Sequence, residues 1–197
     1  MAEILPYLLS TFIGIGLAAA SGFRVFLLLF AVSLASYLGL IPMSENFEWL
    51  SGLATLITTG VATVIEILAY YIPVVDNFLD TLSIPLATIA GSVLFASQFM
   101  ELGTFPQWAL ALIAGGGTAA TIASGFAGTR AASTATTGGI GNNVVATTET
   151  MGAGLMSVLS IFLPVIAFIF AIALIVLVLF FGRRLWRKMK TQNSGIF

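Results

Sequence analysis

The 197-residue sequence has no cysteine and no histidine, and only 8% of its residues are charged. Without cysteine there are no disulfides and no thiolate chemistry, and without histidine there is no histidine-ligated haem. The commonest zinc and copper sites go with them, so no metal and no cofactor is expected. The absence of histidine also removes the side chain that normally titrates near neutrality, which leaves proton chemistry to carboxylates. Charge is scarcer than a soluble fold tolerates: such a domain carries about a quarter charged residues. The formal net charge is -1, and the one basic cluster is a tail. A nucleic-acid-binding face, which needs clustered Lys and Arg on folded surface, is therefore excluded.

What is present is apolar. Hydrophobic residues make up 59% of the chain and mean hydropathy is +1.09, the composition of an integral membrane protein whose main partner is the lipid bilayer. The N-terminus lacks the basic flank and small-residue cleavage pattern of a signal peptide, and the first segment reads as a retained helix. A crossing needs about 20 apolar residues. On that measure the sequence predicts an all-α polytopic membrane protein with six spans, at 4–22, 25–42, 52–74, 82–100, 107–126 and 153–182. The first two, joined by a very short turn at Gly22-Phe23, also fit a helical hairpin over 4–42 that enters and leaves on one side. Residues 1–182 form one membrane domain and 183–197 a basic tail.

Segment 131–150 departs from this pattern. It is rich in hydroxyls, carries three glycines and has no charge until Glu149. It reads either as a re-entrant or unwound stretch lining a cavity or as an ordinary loop of small residues outside the membrane. Residues 43–51 read as a short interfacial stretch. Asp76 to Asp80 and Glu101 to Pro106 read as connecting loops, and Tyr70-Tyr71-Ile72-Pro73 as a helix end at the membrane surface.

Five of the seven basic residues, Arg183, Arg184, Arg187, Lys188 and Lys190, crowd the C-terminus, with Trp186 among them as an interfacial anchor. The positive-inside rule puts that end in the cytoplasm. Six crossings would put the N-terminus there too, with Glu45, Glu48 and Glu101 facing the cytoplasm. Arg24, Asp76, Asp80, Arg130 and Glu149 would then share the opposite half.

Arg24 and Arg130 are the exceptions, alone in apolar surroundings. Their contexts, Ser21-Gly22-Phe23-Arg24 and Ala127-Gly128-Thr129-Arg130, suggest a short parallel duplication. A guanidinium stays charged and forks onto carboxylate or phosphate. Both arginines therefore either face an anionic substrate group, such as a phosphate headgroup, or neutralise internal acids and join helices. Glu66, flanked by apolar residues, is a proton-coupling site or a counter-ion for Arg24. Glu149 pairs with Arg130 or caps the last span. Asp76 and Asp80, one turn apart, either bind a cation or are solvated loop acids. Thr137, Gly138, Gly139, Asn142 and Asn143 offer hydroxyls, amides and backbone N–H groups to an anion. Gly14-Ile15-Gly16, Gly115-Gly116-Gly117 and Gly152-Ala153-Gly154 let helices approach closely or break. No nucleophile–base pair, catalytic carboxylate pair or metal-ligand spacing is evident, so no enzyme is expected.

The stretch from Gly14 through Arg24 to Phe26 resembles the opening of a family of small bacterial membrane proteins, domain of unknown function 4126. The similarity continues at Ile65-Glu66, Ile72-Pro73, Val75-Asp76 and Ala127-Gly128-Thr129-Arg130-Ala131-Ala132, and in the final apolar span with its basic tail. Where the family pattern reads Asn-Thr-x-Pro-Gly-Gly, this chain has Ser133-Thr134-Ala135-Thr136-Thr137-Gly138-Gly139, which keeps both glycines. The resemblance implies a bacterial cytoplasmic membrane location and supports the choice of residues, not a choice of substrate.

The combined expectation is a small transporter or flippase for an anionic solute or phosphate-bearing lipid, with proton coupling through Glu66 and Glu149. A passive channel and a non-transporting scaffold with structural Arg–Glu pairs are the alternatives. The small size of one subunit points to a homodimer.

Overall fold

The computed structural model describes residues 4–99 and 102–193. Glu101 and the last four residues lie outside the described residues, as do the side chains of Trp186, Lys188 and Lys190. Among the described residues the chain is helical, without strands. The helices are α1 (Ile4–Ser21), α2 (Val25–Tyr37), α3 (Leu53–Ala69), α4 (Pro73–Ala96), α5 (Thr104–Leu110), α6 (Gly117–Thr137), α7 (Asn142–Phe162) and α8 (Pro164–Asn193). A 3₁₀ turn at Glu45–Ser51 leads into α3, and a π-helical stretch at Ala111–Gly116 joins α5 to α6.

The protein is an all-α polytopic membrane protein, but with fewer crossings than the six expected. Four stretches are long and apolar enough to cross a bilayer: Phe78–Ala96, Thr104–Thr137, Asn142–Phe162 and Pro164–Arg184. A fifth arises if the 3₁₀ turn and α3, bent by 60°, count as one broken span. The segments expected to cross at 4–22 and 25–42 are shorter helices, Leu5–Ser21 and Val25–Tyr37. At 1.5 Å per residue the 13-residue α2 reaches only about 20 Å, short of a bilayer core of about 30 Å. The even count that placed the N-terminus beside the C-terminus therefore no longer follows.

The span expected at 153–182 is two helices. Pro164 has no N–H to donate and disfavours helix in the residue before it. Leu163 accordingly leaves the helix, with φ -136° and ψ 60°. Asp76 and Asp80 are not in a loop either. Pro73 opens α4, where a missing N–H costs nothing, and both acids lie in the turns that follow.

Segment 131–150 is helical except at 138–141, so the expected unwinding narrows to that turn. Its hydroxyls are absorbed locally. Thr136, Thr137, Thr147, Thr148 and Thr150 each donate to the carbonyl four residues earlier. A polar composition can therefore run through a helix without exposing unpaired hydroxyls. The turn depends on glycine, since Gly138 and Gly139 have φ of +62° and +93°, a region closed to most side chains.

At the centre lies α1, which packs on α4, α6, α7 and α8. Leu17, Ala18, Ala19 and Ala20 have no exposed surface, as expected of a helix that is apolar all round. Close approach is secured by small residues, as the glycine clusters predicted. One close crossing joins α4 to the π-helical stretch: a methyl group on Gly115 would lie 2.6 Å from the Gly91 carbonyl oxygen. Large apolar side chains on α8, among them Ile169, Phe170, Val176 and Phe180, are exposed and face where lipid would be.

Gly115→Ala is expected to destabilise the protein by about 1–3 kcal/mol through overpacking against backbone. Gly117→Ala, where nothing lies within 4 Å, should leave stability unchanged. Thermal unfolding of the two variants in detergent checks the contrast.

Candidate functional site

The turn Gly22-Phe23 brings the chain sharply from α1 into α2. It leaves Arg24 as the N-cap residue of α2, in an extended conformation with φ -147° and ψ 122°. Arginine has no side-chain acceptor, so it cannot satisfy the free N–H groups of the first helical turn. Glu66 on α3 does so instead. Its carboxylate accepts hydrogen bonds from the backbone N–H groups of Val25 (3.1 Å), Phe26 (3.1 Å) and Leu27 (3.3 Å). Glu66 thus closes the positive end of α2, and no hydrogen bond or ion pair to Arg24 is found.

Freed from capping, the Arg24 side chain runs inward and is 1% exposed. Its Nη2 donates to the Ala146 carbonyl at 3.0 Å and lies 3.5 Å from Glu149 Oε2. Arg130, midway along α6 and 2% exposed, meets the same carboxylate. Its Nε donates to Glu149 Oε1 at 2.9 Å, and its Nη2 bonds Glu149 Oε2, a two-pronged pair. Arg130 Nη1 also donates to Asp76 Oδ1, and its Nε lies 3.4 Å from Asp80 Oδ1. Asn142 completes the arrangement by donating from Nδ2 to Asp76 Oδ2 at 3.0 Å and to Thr134 Oγ1 at 3.1 Å.

Both guanidiniums stack on one ring: the Cζ atoms of Arg24 and Arg130 lie 3.7 Å and 4.2 Å from the centre of Tyr70. The aromatic pair expected at a membrane surface is split, with Tyr70 buried and Tyr71 exposed. Tyr71 hydrogen-bonds Thr147 at 2.8 Å. Nothing in the pair's composition distinguishes the two; only the direction of the chain after α3 does.

The sequence-predicted residues therefore divide. Arg24, Arg130, Glu149, Asp76, Asp80 and Asn142 form one centre, with Glu66 held close by at the start of α2. Thr137, Gly138 and Gly139 belong to the α6–α7 turn, where the Thr137 hydroxyl accepts from the Gly141 N–H at 2.9 Å. Asn143 is exposed. Glu149 is no cap, since it lies two turns into α7. Asp76 and Asp80 are not solvated loop acids, and the cation they hold is Arg130. The two Gly-x-Arg stretches share no local structure: Gly22 is in a turn and Gly128 is inside α6. Glu66 as a cap and Tyr70 as a platform were missed. An arginine at an N-cap was the available signal for the first.

Burial decides the energetics. A lone charge deep in a membrane helix costs roughly 2.5–3.5 kcal/mol on insertion scales, and here two guanidiniums stand near four carboxylates. Arg130 is paired on every side. Arg24 is not: among the described residues its Nε and Nη1 have no acceptor, and Asn142 Oδ1 has no donor. Among the described residues, no group of three or more acids is arranged to hold a metal ion.

Glu149→Gln should destabilise the fold by about 3–5 kcal/mol, because both arginines lose a buried partner. Asp80→Asn, at a carboxylate 21% exposed and 3.4 Å from Arg130, should cost less than about 1 kcal/mol. Denaturation midpoints of the two proteins in detergent provide the comparison.

Comparison with known proteins identifies the family of the chain. No curated protein and no solved structure matches the chain. The family model described as Domain of unknown function (DUF4126) matches residues 11–184, a stretch that includes Arg24, Glu66, Tyr70, Asp76, Asp80, Arg130 and Glu149. With nearly its whole length covered, the chain belongs to the DUF4126 family.

Proposed function

We propose that this protein is a small membrane transporter for an anionic solute or a phosphate-bearing lipid, with protons coupled through its buried carboxylates. The observation that carries the reading is the convergence of Arg24 and Arg130 on Tyr70 and Glu149, with Arg24 Nε and Nη1 left without acceptors. Two buried N–H donors on a permanent cation are strong demands for an oxyanion.

The charges then set the mechanism. Guanidiniums stay protonated, so proton uptake falls to Asp76, Asp80, Glu66 or Glu149. An anion arriving at Arg24 competes with Glu149 for the guanidinium. Protonation of a carboxylate offsets the added negative charge in a medium of low dielectric. Asp80, partly exposed and at the edge of the centre, is the natural entry point for that proton. The carrier reading, rather than an enzyme, rests on the absence from the sequence of a nucleophile–base pair, a catalytic carboxylate pair or a metal-ligand spacing. The basic residues after Phe181 favour a cytoplasmic C-terminus in a bacterial inner membrane, and the small subunit favours a homodimer.

Full pairing of Arg130 favours a second reading, a membrane scaffold in which the cluster only joins α4, α6 and α7. A passive channel would instead show voltage-driven currents with no proton requirement.

The test is reconstitution into vesicles holding a trapped pH indicator, with inward gradients of inorganic phosphate, acetate or a phosphatidic acid. Wild-type protein should acidify the lumen faster than protein-free vesicles do with at least one of these. Asp80→Asn should move the anion without the proton, and Arg24→Gln should move neither. Arg24→Gln protein that folds and transports at the wild-type rate sinks the reading, as does the absence of flux with all three probes.

A further inference from the structure

Beside the ion cluster lies a cavity of about 280 Å³ bounded by the start of α2 and by α3 and α4. It exists because its walls part: α3 packs chiefly on α2, whereas α4 packs on α1, α6 and the π-helical stretch. The walls are almost wholly apolar, formed by Phe26, Ala62, Ile65, Leu79 and Leu86 together with the Tyr70 ring. Ile65 and Leu86 are exposed; Leu86 lies in the apolar stretch Phe78–Ala96, and α3 is part of the bent pair that counts as a fifth span. That placement favours an opening toward lipid.

Glu66 is the one charged residue in the lining, but it is not a free anion. Its carboxylate oxygens are held by the three N–H groups at the start of α2, where the helix dipole favours negative charge. Tyr70 is the feature shared with the cluster. Tyr70 lines the cavity, and its ring is the one on which Arg24 and Arg130 stack. Arg24, whose Nε and Nη1 have no acceptor among the described residues, thus stacks on a side chain that also lines an apolar compartment. The volume falls just below the roughly 300–1,000 Å³ of ligand pockets in general, which suits one alkyl chain and not a bulky polar solute.

Resting on the transport reading, we infer that the cavity binds the alkyl chain of an amphiphile whose anionic oxyacid head, a phosphate or a carboxylate, reaches Arg24 past Tyr70. The substrate class narrows accordingly from anions in general to single anionic lipid chains or the chain of an anionic membrane lipid. The apolar walls hold the chain and Arg24 selects the head. Tyr70 separates the two until its ring turns.

Photolabelling of the full-length protein in phosphatidylcholine vesicles tests this directly. The probe is hexadecyl phosphate with a diazirine in the chain, and the same chain ending in an alcohol or a trimethylammonium serves for comparison. Saturable labelling is expected on α3 and α4 around Ile65, Leu79 and Leu86, strongest with the phosphate head. Ala62→Phe, which fills the cavity, should reduce it roughly tenfold, and Arg24→Gln should erase the preference for phosphate. Leu79→Ala, which widens the cavity, should retain labelling and so controls for misfolding of the filled variant. Competition by unlabelled palmitate or by phosphatidic acid identifies a free fatty anion or a membrane lipid as the source, and either supports the site.

Equal labelling by the three heads, or stronger labelling by the ammonium, overturns the inference. So does labelling spread unsaturably over Ile169 and Phe170 on α8. Labelling of the cavity without proton flux in the vesicle assay keeps the site and removes transport. Flux driven by inorganic phosphate or acetate without cavity labelling does the reverse.

Discussion

A single carboxylate, that of Glu149, lies between two guanidiniums, and much of the molecule is arranged so that it can. Two arginines cannot share the Tyr70 ring in an apolar interior unless an anion stands with them, because like charges repel strongly where the dielectric is low. Glu149 bonds Arg130 through both oxygens and lies within 3.5 Å of Arg24. To place it there, α7 must start in the right register. That register is set at the α6–α7 turn by the left-handed Gly138 and Gly139. The same requirement reaches α4, whose start at Pro73 puts Asp76 on Arg130.

The surrounding scaffold follows a different rule. Lipid is as apolar as leucine, so burial alone does not drive helices together in a membrane, and close packing of small residues takes its place. The centre of the bundle is accordingly α1, with Ala18, Ala19 and Ala20 fully buried and with glycine contacts to α4, α7 and α8 around it. The α1–α2 turn then delivers Arg24 to the cluster. The helix start this creates has no cap of its own, and Glu66 supplies one from α3. Packing and ion pairing are thus linked through one short connection.

Much of this was legible in the sequence. Composition alone required a membrane protein, because so few charges cannot make a water-facing surface. Arg24, Arg130 and Glu66 stood out because isolated charges in apolar sequence need partners; Asp76 read as a loop residue and did not. The glycine clusters announced close helix contacts. Span counting was less secure. Apolar content does not reveal that α2 stops at 13 residues, and one proline divided what hydropathy joined into a single final span. The hydroxyl-rich stretch after Arg130 read as unwound or as a loop because composition does not show that five of its threonines bond their own helix.

Sequence by itself determined the solvent, the scarcity of ionisable groups and the short set of residues able to carry chemistry. Those properties belong to individual residues and their neighbours along the chain. Only the tertiary structure decided that both arginines meet at one tyrosine and that Glu66 caps a helix instead of pairing with Arg24. It also decided that the tyrosine under both arginines lines an apolar cavity. These depend on which helices cross at what height, which short-range patterns do not encode. Side-chain direction after a turn, glycine-limited approach and the mutual demands of buried charges settle it together.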